Sequence, residues 1–234
     1  MKKFFRFILF KLSYWRESLR EALSEIIWCF QIALGMEMKP TNPEHDMPLK
    51  VSVKKKIAIS SGHGLHVRGA KGIIDEVDEA RRVTDRVAKI LTDRGHECVV
   101  FHDDVSCNAD DNLNAIIGWH RAQDRDRDVF IHFNAFDAPT AHGTEAIFRD
   151  VCDKPFAARV AESMSKVGFR LRPAQNGSTM LGATKRSDLR VLNSLTDREE
   201  VLIEVCFVTS PRDVQIYNEN FESLCGHIAA ALAD

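Results

Sequence analysis

The chain reads as an α/β fold: a single domain with a mostly parallel twisted sheet flanked by helices, preceded by an N-terminal amphipathic helical extension. Three observations predict it. From Lys56 onward, short apolar runs alternate with stretches of helical periodicity, the pattern of a sheet with helices on its faces. Glycine turns and helix caps punctuate those runs. The 234 residues, 44% hydrophobic and 28% charged, suffice for one full-sized core once the ends are discounted.

Residues 1–55 are set apart from a main domain at 56–234. Met1 to Leu34 mixes basic residues with Phe4, Phe5, Ile8, Leu9, Phe10, Trp15, Ile26 and Trp28, the composition of an amphipathic or interfacial helix. It is a poor membrane span, because Lys11, Arg16, Glu17, Arg20, Glu21 and Glu25 interrupt any window of ~20 apolar residues. As a signal peptide it also fails, since Lys11 cuts the apolar stretch short and no small-residue cleavage site follows. Three readings stay open: a membrane-surface anchor, a helix docked on the domain, or an extension translated from a start codon placed too early, with Met36, Met38 and Met47 downstream. Met36 to Lys56, with Pro40, Pro43 and Pro48, reads as an irregular linker.

The main domain follows in order. Ile57 to Ser60 is a strand entering the glycine turn Ser61-Gly62-His63-Gly64. Glu76 to Arg94 is helical through the stripe Ala80, Val83, Val87 and Leu91, and Gly95 stops it. Cys98 to Phe101 is the next strand. Asn112 to Ala122 reads as a helix, and Val129 to His132 as a third strand. Glu145 to Phe148 is a short fourth strand, Ala157 to Val167 a helix, and Val201 to Val208 the most apolar strand. Ser210 caps a helix with Pro211 at its first position, and a last helix spans about Asn220 to Leu232. Ligand sites on such sheets gather at the carboxyl ends of the strands.

Charge and cysteine content narrow the function classes. A formal net charge of −2 gives no reason to expect nucleic acid as a partner, and Lys54-Lys55-Lys56 and Arg81-Arg82 fit a solvated rim. The six scattered cysteines form no CxxC pair, so they read as reduced, buried small hydrophobes rather than a disulfide framework or thiolate zinc site.

Four polar residues carry the chemistry. His63 stands between two glycines at a strand end, and His132 ends Asp128-Val129-Phe130-Ile131-His132; neutral imidazoles on neighbouring strand ends suit a shared zinc ion. At 100° per residue Glu76 falls within the buried stripe of its helix while Glu79 lies on its flank, so Glu76 is the acid that needs a partner. Glu204 interrupts the apolar run Val201-Leu202-Ile203-Glu204-Val205-Cys206-Phe207-Val208, where an isolated carboxylate costs several kcal/mol unless paired, protonated or near a cation. A structural salt bridge to arginine competes with a general base beside zinc. The other three residues favour the base.

These residues resemble the zinc-dependent N-acetylmuramoyl-L-alanine amidases often called amidase-3, found in bacterial cell-wall hydrolases, autolysins and bacteriophage endolysins. The resemblance runs from about Lys56 to Asp234. Its carriers are Ser61-Gly62-His63-Gly64, Gly69-Ala70, Gly72, the acidic helix start at Glu76, Ile131-His132-Phe133-Asn134-Ala135, Gly143-Thr144-Glu145 and Leu202-Ile203-Glu204-Val205-Cys206-Phe207. It implies His63, Glu76 and His132 as Zn2+ ligands and Glu204 as the catalytic base. Ser60-Ser61 replaces the usual acidic and proline residues before the glycine, Leu65 a common second glycine, and Phe130 a frequent serine.

The implied reaction is hydrolysis of the amide between N-acetylmuramic acid and L-alanine in peptidoglycan. Asn134 and Glu145 are candidate supports of that site. The rivals are a zinc peptidase acting on another amide, and a catalytically silent wall-binding or membrane-associated module. Expected partners are peptidoglycan and, through the N-terminal helix, a membrane surface; a monomer is expected. The expected place of action is the cell wall or periplasm, with cytoplasmic residence until release.

Overall fold

A computed structural model of the chain describes residues 53–138, 140–173 and 180–234. The expected N-terminal amphipathic helix, and the linker as far as residue 52, lie outside the described residues. Among the described residues, no helix is long and apolar enough to cross a membrane.

Six strands form one sheet: β1 (Lys56–Gly64), β2 (Glu97–Asp103), β3 (Arg127–Asn134), β4 (Glu145–Phe148), β5 (Ala183–Lys185) and β6 (Glu199–Phe207). Their spatial order is β2-β1-β3-β6-β4-β5. The β2-β1, β1-β3, β3-β6 and β4-β5 pairs are parallel, and only β4-β6 is antiparallel. The helices are α1 (Glu76–Asp93), α2 (Ala109–Ala122), α3 (Lys154–Ser165), α4 (Arg190–Ser194) and α5 (Pro211–Ala233). The α/β class with a mostly parallel sheet is therefore the architecture observed.

Side-chain alternation along the strands builds two unequal layers. Ile57, Ile59, Val129, Ile131, Val201 and Ile203 face one way, into a large core with Val83, Val87 and Leu91 of α1, Val160 and Met164 of α3, and Tyr217 and Ile228 of α5. Phe130, Ile147 and Leu202 face the other way, against Ile116 and Ile117 of α2 and Val191 and Leu192 of α4. The second layer is thin, since α4 has only five residues.

Local sequence explains the helix ends. In α1, the Asp75 side chain accepts from the Val77 N–H, and the stripe Ala80, Val83, Val87 and Leu91 is fully buried. Each of the three larger members contributes about 1.5–3 kcal/mol through that burial. Gly95, at φ 87°, supplies the left-handed residue that ends the helix. For α5 the Ser210 hydroxyl accepts from the Asp213 N–H, with Pro211 at the first helical position.

The structure departs from the sequence reading in three places. The two C-terminal helices are one element with a kink at Asn220 (φ −123°), whose side-chain amide donates to the Ile216 carbonyl and so competes with the helical ladder. The stretch Ser61 to Gly64 belongs to β1 instead of following it. The β1-β2 register shifts between Ser60 and Gly64, and His63 takes φ 59°, so the turn is an irregularity within the strand. Strand β5 and helix α4 were not foreseen, because three and five residues are too few to show a period. Of the cysteines, Cys206 and Cys225 are buried as expected, while Cys107 is exposed.

A buried hydrogen-bonded chain anchors the carboxyl end of β1 to the thin layer. Ser60 Oγ lies 2.9 Å from His120 Nε2, and His120 Nδ1 lies 2.7 Å from Asp128 Oδ1, which also accepts from Arg125 Nε at 2.6 Å. The first three residues have the connectivity of a hydrolytic triad. All three are fully buried, so no substrate reaches the serine and the chain is a structural tie.

Burial pushes the His120 pKa down, and the Asp128 carboxylate opposes that shift. A histidine with a lowered folded pKa contributes stability that is intact above its unfolded pKa of about 6.5 and is lost as the pH falls through the folded value. His120→Ala is expected to cost about 2–4 kcal/mol at pH 7.5, because Ser60 and Asp128 both lose a buried partner. Urea unfolding measures the cost, which should shrink as the pH is lowered below about 6.5.

Candidate metal centre

The β1 irregularity, the first turn of α1 and the end of β3 converge at the carboxyl edge of the sheet. His63, Glu76 and His132 each offer one ligand atom there, and the three atoms lie within 4.8 Å of one another. His63 Nε2 is 3.4 Å from Glu76 Oε2, and His132 Nδ1 is 3.1 Å from Glu76 Oε1. The two imidazole rings meet edge to face with centroids 5.1 Å apart.

Backbone amides hold the carboxylate between the histidines. Glu76 is buried; its Oε2 accepts from the Ala70 N–H at 2.7 Å and its Oε1 from the Phe133 N–H at 3.2 Å. Burial opposes its ionisation, but the bonds to His132 and His63 outweigh that and hold the carboxyl well below the usual range. Glu79, the acid set aside on helical phase, instead accepts from the Tyr217 hydroxyl at 2.6 Å and from Arg82.

Two glycines give the ligands room. A Cβ on Gly62 would meet Cε1 of the His132 ring at 2.2 Å, and one on Gly69 would meet Glu76 Oε2 at 2.2 Å and His63 Cδ2 at 2.5 Å. The three donors and their tight glycine cradle fit a small divalent cation that favours nitrogen and oxygen ligands. Binding would take the place of the protons now shared between the imidazoles and the carboxylate.

Glu204 lies beside this cluster. The register sets His132 opposite Glu204 across β3-β6, and Glu204 opposite Glu145 across β6-β4, so the three form one row on the thin face of the sheet. Glu145 is well satisfied, accepting from Asn134 Nδ2 at 3.0 Å and Thr184 Oγ1 at 2.5 Å. Glu204 is not. Its Oε2 is sealed from solvent and has no hydrogen-bond partner among the described residues. Burial pushes its pKa up to about 8, the charges of Glu76 and Glu145 push the same way, and Arg186 and Arg172 act against them from a distance. The expected alternative, a direct arginine partner for Glu204, is not found among the described residues.

A family model described as N-acetylmuramoyl-L-alanine amidase (Amidase_3) matches residues 57–234, a segment containing all four of these residues. The chain belongs to the Amidase_3 family. An uncharacterised protein of Clostridium perfringens is 30% identical over 182 residues, 75% of this chain and 50% of that protein. The chain thus spans about half the length of the curated relatives it matches. Among solved structures, the catalytic domain of the CD27L endolysin targeting Clostridia difficile superposes with a TM-score of 0.67 at 20% identity, covering 76% of this chain and 96% of that one. The CwlD amidase of Clostridioides difficile, solved with the GerS lipoprotein, superposes at 0.65 and 20% identity, with the same coverage. At that identity the two structures establish a shared fold.

One feature of this family member escaped the sequence reading. Ser60 and Ser61, the two residues before the glycine, each bond a histidine. Ser61 Oγ lies 2.8 Å from His102 Nδ1, and His102 Nε2 lies 3.0 Å from Asp85 on α1. Consecutive residues of β1 are thereby tied to opposite layers, Ser60 to α2 and Ser61 to α1, immediately before His63. No local spacing announces partners 41 and 60 residues away.

The glycine cradle has a direct test. Gly69→Ala is expected to weaken Zn2+ or Co2+ binding by about 10- to 100-fold, because the new methyl displaces two of the three donors. Calorimetric titration of the metal-free protein measures it. The thermal midpoint should change little, since Gly69 lies outside the core.

Proposed function

We propose that the chain is a zinc-dependent N-acetylmuramoyl-L-alanine amidase that cleaves peptidoglycan between the lactyl group of muramic acid and L-alanine. The observation that carries the reading is the pairing of a compact His63-Glu76-His132 donor set with a carboxylate, Glu204, whose buried Oε2 has no hydrogen-bond partner among the described residues. A silent wall-binding module has no use for an unsatisfied buried oxygen, whose desolvation is a standing cost. Family membership and the shared fold support the choice of substrate.

His63, Glu76 and His132 would hold the Zn2+. When bound, the ion supplies Lewis acidity toward the amide carbonyl and lowers the pKa of an adjacent water. The Ala70 and Phe133 amides keep the Glu76 carboxylate oriented between the two imidazoles, so the donor set is preformed. Glu204 accepts a proton from the attacking water. As the C–N bond breaks, it returns that proton to the departing alanine nitrogen, leaving the lactyl group as a carboxylic acid that loses the water's second proton to solvent. Glu145, fixed by Asn134 and Thr184, bounds the space in which Glu204 moves and adds negative charge that favours proton capture. With a cation held by the neighbouring ligands, the Glu76 charge would be offset, which would favour the ionised form of Glu204 as base.

Peptidoglycan is thus both substrate and partner, and the place of action is the cell wall. Mass spectrometry of purified peptidoglycan digested with and without a chelator tests the bond cleaved. Free stem peptides beginning with L-alanine should appear only without the chelator, and their absence from both digests rejects the amidase reading. Glu204→Gln should lower kcat by about 10²- to 10⁴-fold with zinc content unchanged. His132→Ala should lose the metal, as read by elemental analysis of the purified protein.

A further inference from the structure

The thin layer leaves a cleft that opens directly beside two of the three metal-centre residues. Its rim includes His63 and His132, and its walls are Val67, Leu113 and Ile116 of α2, Phe130 of β3 and Val191 of α4. Arg190 bridges α4 to α2 by bonding Asp110 and Asn114, at 2.9 and 2.5 Å.

Two arguments identify what enters. The first is chemical. The polar side chains at the rim are already engaged, Ser61 with His102 at 2.8 Å and Asn112 Nδ2 with Asp103 Oδ2 at 2.8 Å, so the lining recognises hydrocarbon and not a row of hydroxyls or a carboxylate. The second is directional. Glu204 projects from β6, on one side of His132, and must reach the departing nitrogen, so the amine flank of the amide lies over β6. The acyl flank leaves the carbonyl carbon in the opposite direction, across β3 toward β1 and α2, where the cleft lies.

Resting on the amidase reading, the geometry points to this cleft as the acyl-side subsite, in which the methyl-bearing carbon of the lactyl group packs against Leu113, Ile116, Phe130 and Val191. The lactyl methyl is the apolar group nearest the scissile carbonyl on that flank. Its burial rewards a muramoyl acyl group over the glycolyl analogue lacking one methyl. The cleft is thereby a specificity determinant separate from the metal centre.

The test compares zinc-loaded full-length protein on N-acetylmuramoyl-L-alanyl peptides and on the matching glycolyl compounds. The unmutated protein should prefer the muramoyl substrate by about tenfold in kcat/KM, the effect of one methyl in an apolar pocket. Leu113→Trp, and independently Val191→Phe, fill the cleft; each should lower muramoyl turnover at least about tenfold and erase the preference with zinc content retained, and the part-exposed Leu113→Trp should also keep the thermal midpoint. Equal rates on the two substrates, or a preference untouched by both filling variants, overturn the subsite while leaving the amidase reading standing. Failure to release any L-alanyl peptide rejects the amidase reading and the subsite with it. A readout independent of turnover is the methyl NMR spectrum of metal-free protein titrated with N-acetylmuramic acid. Ile116 and Val191 signals should shift with this compound and not with N-acetylglucosamine, which lacks the lactyl group; equal responses to both sugars, or to neither, count against the subsite.

Discussion

The Glu76 carboxylate is the joint on which the site depends. Through its two oxygens it contacts His63 on β1, the Ala70 amide in the β1-α1 loop, and His132 and the Phe133 amide on β3. A buried carboxylate without such donors is several kcal/mol too costly to ionise. Here two backbone N–H groups and two imidazoles offset the cost, and the helix N-terminus adds a further favourable field. The position of that carboxylate follows from packing at the far end of α1. Val83, Val87 and Leu91 fix the rotation of the helix against the sheet, and Glu76, on the same stripe, is carried inward with them.

The unequal layers decide where chemistry is possible. Among the described residues, one face of the sheet is closed by α1, α3 and α5, whereas the other carries α2 and the five-residue α4. Because side chains alternate along a strand, His132, Glu204 and Glu145 all emerge on the thin face, above Phe130, Leu202 and Ile147 of the same strands. Among the described residues, that row stands on the more thinly covered face of the sheet. The ties from Ser60 to His120 and from Ser61 to His102 hold β1 to both layers just before His63, where the backbone adopts its left-handed conformation.

Two glutamates of the same chain are driven in opposite directions by their surroundings. Glu76 collects donors and stays ionised. Glu204, a few ångströms of sheet away, has an oxygen with none, and burial moves its pKa up to about 8. Residue type alone does not separate the two carboxylates; the count of donors around each does. Glu145 completes the contrast as a third carboxylate, held by Asn134 and Thr184 and by an ion pair with Arg172 at 3.5 Å.

By itself, the sequence determined the α/β class and the longer strands and helices, and it singled out His63, Glu76, His132 and Glu204 as candidates, since periodicity and a charge inside an apolar run are local signals. Helical phase alone told Glu76 from Glu79, and the structure sends Glu79 to Tyr217. Only the tertiary structure decided the rest. The antiparallel β4-β6 pairing sets Glu145 against Glu204, and the Ser-His-Asp ties and the apolar cleft join residues tens of positions apart. Register between distant strands and the closure of a layer by a five-residue helix are set by packing of the whole sheet, which leaves no mark on any short stretch of the chain.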